Sequence, residues 1–209
     1  TVTYPEAYTV TYSRTPTAAA DAPTTNPLIT SGDYVLANTS VTFTAKDANN
    51  GYTWKGWYDN EAGDGDALTT DEAYTKSITA NTTIYAVYTV NTYSITYNLN
   101  GGSGTMTPTE YQVTTATITL PTPTRTGYTF AGWYDNANLT GNAVKQIAKG
   151  SYGDKEYWAK WTANQYIITF FANGGTGNSA SVTATYDSAT LPAITNPTRT
   201  DYTFTGWYS

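Results

Sequence analysis

Apolar and polar residues alternate in short runs along this chain. Between positions 93 and 99, Tyr93, Ile95, Tyr97 and Leu99 alternate with Ser94, Thr96 and Asn98. A period of two is that of a strand with one buried face. Asn100-Gly101-Gly102 follows this run, and Asn173-Gly174-Gly175 follows a similar one. Asn and Gly accept positive φ, so both mark turns that close hairpins. Further strands are predicted over 109–115 and 117–120. Pro121, Pro123 and Pro197 then punctuate the approach to the next strand, because Pro cannot donate to a central ladder. The segment 142–149 predicts a two-turn helix, with Val144 and Ile147 on one side and Gly150 as its stop. So short a helix needs tertiary support.

The pattern repeats. Gly51-Tyr52-Thr53-Trp54-Lys55-Gly56-Trp57-Tyr58-Asp59 returns as Gly127-Tyr128-Thr129-Phe130-Ala131-Gly132-Trp133-Tyr134-Asp135. It returns again as Asp201-Tyr202-Thr203-Phe204-Thr205-Gly206-Trp207-Tyr208-Ser209. Each copy follows an opening run: Tyr8-Thr9-Val10-Thr11-Tyr12, Tyr93-Ser94-Ile95-Thr96-Tyr97 or Tyr166-Ile167-Ile168-Thr169-Phe170. The first two precede a closing run, Ile84-Tyr85-Ala86-Val87-Tyr88 or Tyr157-Trp158-Ala159-Lys160-Trp161. Repeated order at a fixed period is the signature of tandem modules. The expected divisions are 1–90, 91–163 and 164–209. The third is read as stopping before its closing strand, and by the count of the second it would run to about residue 235. The linkers, at 89–92 and 162–165, are too short and too poor in Gly and Ser to be flexible tethers. Successive modules should therefore be held at restricted angles, in an elongated array.

Simple alternation in the Gly-Trp-Tyr strand puts Tyr128, Phe130, Gly132 and Tyr134 on one face, with Ala131 and Trp133 on the other. Gly132 then leaves room for an aromatic ring from a neighbouring strand, and Gly56 and Gly206 would do the same.

Composition narrows the function classes. Aromatic residues make up 15% of the 209 residues, and charged residues only 12%. Thr and aromatic side chains suit half-buried pleated surfaces, so the fold class is mainly β. Modules of this size without disulfides sit near the lower limit for independent folding, and dense aromatic cores would compensate. The net charge is −6. Nucleic acid needs clustered Lys and Arg, and here they are scattered, so no nucleic-acid partner is expected. No run approaches the ~18 apolar residues of a membrane span, so no membrane insertion is expected in this segment.

The chain has no His and no Cys. Nucleophile–His pairs, His metal sites and thiolate chemistry are thereby excluded. Paired carboxylates remain the one common catalytic device. The acidic cluster at 59–72 holds Asp59, Glu61, Asp64, Asp66, Asp71 and Glu72. It could offer oxygen ligands to Ca²⁺, but Gly63 breaks the EF-hand register, and the plainer reading is a solvated loop. The matching loop at 135–141 is almost uncharged. Trp54, Trp57, Trp133, Trp158, Trp161 and Trp207 could form a sugar-stacking platform. Packing between strands is the plainer reading there too. The Asn-Gly-Gly turns lack the Lys and helix of a phosphate loop. Asn38, Asn81 and Asn138 match the N-glycosylation acceptor pattern, and Asp187-Ser188-Ala189 a short O-glycosylation motif; both patterns are weak. No catalytic, cofactor or metal residue is assigned, and the chain is not expected to be an enzyme.

The opening strand, the Asn-Gly-Gly turn, Pro123-Thr124-Arg125-Thr126-Gly127-Tyr128 and the closing strand together resemble the Listeria–Bacteroides repeat. This is the B-repeat family of internalin-type surface proteins. The resemblance covers 93–161 and 166–209. The first module departs from it: Arg14-Thr15-Pro16 stands in place of Asn-Gly-Gly, and an Ala/Pro/Thr-rich stretch is inserted at 15–27. The resemblance implies tandem β-grasp-like modules with at most one short helix each. It implies a non-catalytic stalk, spacer or adhesive region of a secreted or cell-surface bacterial protein, without cofactor. The partner would be a protein or glycan at the cell surface. A carbohydrate-binding module, or a subunit of an extracellular filament or secretion assembly, are the alternatives.

Overall fold

The computed structural model describes residues 3–209. It is almost entirely β, in several small sheets. Among the described residues the one helical piece is a 3-10 turn at Thr17–Ala19. The chain divides into two compact units. One comprises Thr1–Ser94, Glu110–Ile118 and Ile147–Asp154; the other comprises Ile95–Thr109, Thr119–Gln146 and Lys155–Ser209.

The first unit holds β1 (Ala7–Thr15), β2 (Thr24–Asn26), β3 (Asp33–Leu36), β4 (Ser40–Thr44), β5 (Tyr52–Tyr58), β6 (Ala73–Ser77) and β7 (Thr82–Val90). It also holds the start of β8 (Thr92–Asn98), all of β9 (Glu110–Gln112), and one end each of two short strands described below. One sheet has the order β3-β1-β7-β5, with β1 and β7 parallel and the outer pairs antiparallel. A second has the order β2-β4-β6. Phe43 of β4 lies 5.8 Å from the Tyr12 ring and 5.9 Å from the Trp57 ring, and it is fully buried, as Trp57 is. The insertion at 15–27 is built into this core: Ala19 and Ala20 are buried, and β2 pairs with β4.

The second unit takes in the remainder of β8, β11 (Tyr128–Tyr134), β13 (Lys155–Ala163), β14 (Gln165–Thr169) and β15 (Ser181–Thr185). The two short strands β10 (Ile118–Thr119) and β12 (Gln146–Ile147) pair with each other. The larger sheet has the order β11-β13-β8-β9, again with its central pair parallel. Among the described residues β14 pairs only with β15. Trp133 is buried against Phe130 and Tyr97, at 5.5 and 5.2 Å between ring centres.

Three expectations need correction. The segment 142–149 is not a helix. Val144 donates its N–H to Trp133 O, and Lys145 O accepts from Leu120 N–H. Backbone groups that would have closed helical turns are thus taken by neighbouring strands, and Gln146–Ile147 is strand β12. Two turns of isolated helix cannot compete with that.

Simple alternation also fails in the Gly-Trp-Tyr strand. The register of β11 against β13 shifts between Phe130 and Gly132, and that of β5 against β7 between Trp54 and Gly56. These are β-bulges, and they bring Phe130 and Trp133 into contact instead of onto opposite faces. Gly132 at φ +134° and Gly56 at φ +143° supply backbone that other residues rarely adopt. No neighbouring strand lays a ring across Gly132; a Cβ there would stand 2.8 Å from Ala143 Cβ.

Finally, the Asn-Gly-Gly turn opens a hairpin loop and does not itself close the hairpin. Gly102 N–H bonds Leu99 O, after which Ser103 pairs with Thr124. The chain returns to β8 only at Thr109, whose carbonyl accepts the Ile95 N–H, and at Glu110 beside Ser94.

Candidate functional site: the joints between repeats

In a repeat protein the junctions decide what the array can do, since each unit contacts only its neighbours. Two junctions are present, one within each compact unit, and the same positions build both.

At the first, Asn91 follows β7 and donates its N–H to Gly51 O at 2.8 Å. The Thr53 hydroxyl donates to Asn91 Oδ1 at 2.8 Å. Gly51 has φ +87°, and a Cβ there would overlap Val113 Cγ1. Val113 comes directly after β9, so a side chain of the second repeat is seated on a glycine of the first. Gly150 N–H donates to Val113 O at 3.0 Å and holds that segment in place.

At the second, Asn164 follows β13 and donates its N–H to Gly127 O at 2.9 Å. The Thr129 hydroxyl donates to Asn164 Oδ1 at 2.7 Å. Gly127 has φ +77°, and a Cβ there would overlap the Tyr186 ring. Tyr186 comes directly after β15, the position that Val113 has after β9. Tyr186 N–H bonds Asn164 O at 2.8 Å, and the Tyr128 hydroxyl donates to Asp187 Oδ2 at 3.1 Å. Partial burial, and then that carboxylate, push the Tyr128 phenol above the ordinary tyrosine value.

The third copy of the motif carries Asp201 at the glycine position, with φ +61°.

Each repeat also has internal clamps. The Arg125 guanidinium lies 3.8 Å from the Tyr128 ring centre and donates to Asn100 O; Arg199 does the same with Tyr202 and Asn173 O. This explains the Pro-Thr-Arg-Thr-x-Tyr spacing: the Arg ties the strand entry to the Asn-Gly-Gly turn. Asn60 and Asn136 staple their loops alike, each Nδ2 reaching the carbonyl four residues on, Asp64 O or Thr140 O, at 3.0 Å.

The acidic loop at 59–72 follows the same plan. Trp57 Nε1 donates to Glu72 O, and Trp54 Nε1 to Thr70 O. Among the described residues no group of three or more His, Cys, Asp or Glu converges on a point that could hold a metal. The tryptophans also have internal duties. Trp57 and Trp133 are buried, and Trp54, Trp158, Trp161 and Trp207 are half-buried. Trp161 lies over Gly102 and donates to Leu99 O. The large exposed rings are tyrosines and phenylalanines, such as Tyr34 and Phe171.

Asn91, Asn164, Thr53, Thr129, Val113 and Tyr186 are absent from the sequence expectations. A signal was present: Thr recurs two residues after Gly51 and Gly127, and Asn recurs just past each closing strand.

A mixed sheet recurring along the chain, with a shared joint, defines a tandem-repeat β protein. The chain belongs to the Listeria–Bacteroides repeat family, whose model matches residues 93–160 and 166–209. A model of the divergent InlB B-repeat domain matches residues 9–92. Two similar proteins come from Evansella cellulosilytica, with names that provisionally place them in the membrane. One is 32% identical over 76% of this chain and 23% of its own length. The other, described as Gly-rich, is 33% identical over 76% of this chain and 18% of its own length. Internalin H of Listeria monocytogenes is 39% identical over 41% of this chain and 15% of its own length. The chain thus spans about a fifth of the curated relatives it matches. No solved structure matches it significantly. No helix among the described residues is long and apolar enough to cross a membrane.

Proposed function

We propose that this chain is a non-catalytic spacer region of a secreted or cell-surface bacterial protein, one that holds a functional part away from the surface or presents an adhesive face. The relatives' names point to the same setting. On this reading each repeat is a β-grasp-like module and the array is elongated. The observation that carries the proposal is the identical construction of two successive joints: a glycine seat, an Asn backbone bond and a Thr–Asn side-chain bond. A flexible tether has no use for such a device, whereas a spacer that must keep its angle does.

The test is the distance distribution between two spin labels. The chain has no Cys, so Asp66→Cys and Thr140→Cys place one label in each of the first two repeats. A single narrow distribution is expected, and Gly51→Ala should broaden it. A broad distribution that Gly51→Ala leaves unchanged would refute a rigid joint.

A further inference from the structure

In the first two repeats the chain enters on one strand and leaves on its neighbour. β1 opens the first repeat and β7 closes it; β8 opens the second and β13 closes it. In both cases the two strands pair in parallel, while every other pairing in the same two sheets is antiparallel. A parallel pair needs a long crossover where an antiparallel one needs only a turn. What it gives in return is direction: entry and exit lie at opposite ends of the pair. A pull on the chain from both sides of a repeat slides the two strands past each other, and all rungs of the ladder are loaded together. Antiparallel neighbours would open from one end, rung after rung.

The ladder of the first repeat has six register pairs, Val10 to Thr15 against Thr82 to Val87. That of the second has four, Ile95 to Asn98 against Lys155 to Trp158. Side chains lengthen both. Ahead of the first rung, Asn81 Oδ1 accepts the Thr9 N–H at 3.0 Å, and Asp154 Oδ1 accepts the Ser94 N–H at 2.8 Å. The residue just before each closing strand thus holds the opening strand where tension would first reach it. Beyond the last rung of the shorter ladder, Asn98 Nδ2 donates to Glu156 Oε1 at 2.9 Å and Asn100 Nδ2 to Ala159 O at 2.8 Å. Trp161 Nε1 adds a bond to Leu99 O at 2.9 Å. Both ladders are shielded. Val10, Ile84 and Ala86 are buried in the first, and Ile95, Tyr157 and Ala159 in the second. Water cannot readily replace a rung there, and a hydrogen bond is stronger in such surroundings.

We infer that these repeats bear tension along the chain, and that the parallel pair of opening and closing strands is the clamp that resists it. The inference rests on the spacer reading and gives that spacer a mechanical duty: to stay folded while its two ends are pulled apart. Forced unfolding is governed by the unfolding rate and not by the equilibrium stability. The clamp therefore shows itself as a dependence on the direction of pulling, at constant stability.

The test pulls the full chain in optical tweezers through handles on introduced cysteines, since it has none of its own. Ala7→Cys with Thr89→Cys takes hold of the first repeat at its entry and exit, and shears β1 against β7. Ala7→Cys with Ala80→Cys takes hold of the same two strands at one end, and peels them apart. All three positions are exposed, so urea unfolding should be alike in the two variants. At one pulling speed the shear pair should need about threefold the force of the peel pair or more, because its rungs must yield together. It should give way in a single step of about 260 Å, the extended length of the segment less its folded span. Equal forces in the two directions would overturn the clamp, and so would a shear trace that lengthens gradually before rupture. The spin-label distances read the joint and not the clamp, so a loose joint and a failed clamp appear separately.

Discussion

The two joints share a backbone and differ in what they seat. In the first, Gly51 receives Val113, which is 9% exposed; in the second, Gly127 receives Tyr186, which is 40% exposed. The first seat is dry and apolar. The second is wetter and adds a polar tie from Tyr128 to Asp187. The glycine, the Asn N–H bond and the Thr hydroxyl stay constant. The direction of the joint is therefore set by groups whose positions the backbone dictates, and the seated side chain is free to vary provided nothing projects from the glycine. Asp201 sharpens the point. It adopts left-handed backbone as the two glycines do, but it carries the Cβ that at Gly51 or Gly127 would overlap the seated side chain.

The largest effects should come from the seats. Gly51→Ala and Gly127→Ala each force a Cβ into a seated side chain at a positive φ. Each should cost about 3 kcal/mol in urea unfolding, from backbone strain and overlap together. Adding Val113→Ala to Gly51→Ala should recover part of that loss. Asp201→Gly should change stability by less than about 1 kcal/mol, since Asp tolerates this backbone. Equal costs at all three positions would erase the distinction drawn between them.

The bulge glycines come next, and they rank by what surrounds them. A Cβ at Gly56 would stand 2.8 Å from the Thr69 carbonyl oxygen, which cannot swing away. At Gly132 it would meet a methyl group at the same distance, and at Gly206 its nearest neighbour is 4.0 Å off. All three have positive φ. Gly132→Val should cost about 2 kcal/mol, Gly56→Val more and Gly206→Val less, in thermal or urea unfolding. Equal costs at all three would mean that strain and not crowding decides, since their φ values are nearly the same.

Smaller again is the Thr–Asn bond. Thr53→Val and Thr129→Val keep the shape and remove the hydroxyl. Each should cost about 1 kcal/mol, the ordinary value of one net hydrogen bond. Hydrogen exchange should quicken at Asn91 in the first variant and at Asn164 in the second, each leaving the other joint untouched.

Strands and repeats were legible in the sequence because period-two alternation and recurrent aromatic positions report directly on burial. The bulge was not, because a register shift at Gly132 depends on its partner strand and leaves the local pattern looking regular. The failed helix at 142–149 is a similar case: two apolar residues three apart fit one turn of helix, while Trp133 O and Leu120 N–H decided the outcome from far along the chain. The joints were half legible. Short linkers implied restraint, but Val113 and Tyr186 are joined to their glycines only by folding, across about 60 residues of sequence. The Trp residues read as packing, and Trp57 and Trp133 are indeed in the core.

The least effect, and the one that separates the joints most cleanly, is that of pH. The Tyr128 phenol is raised by partial burial and then by the Asp187 carboxylate that accepts its hydrogen bond. A group with a raised folded value contributes stability that is complete below its unfolded value, about 10 for tyrosine. That contribution is lost as pH rises through the higher folded value. The second joint should therefore loosen only in strong alkali. The first joint has Thr114 where the second has Asp187, so no carboxylate stands at the matching position. The measurement is the Asn164 amide resonance followed through the alkaline range, with Asn91 as its internal control. Asn164 should shift with a midpoint above the ordinary tyrosine value, and Tyr128→Phe should remove the shift. Asp187→Asn should lower the midpoint without restoring it fully, because burial remains. A midpoint unchanged by Asp187→Asn would show that the Tyr128–Asp187 bond does not persist in solution, and the second joint would then rest on its glycine seat and Asn clamp alone, as the first does.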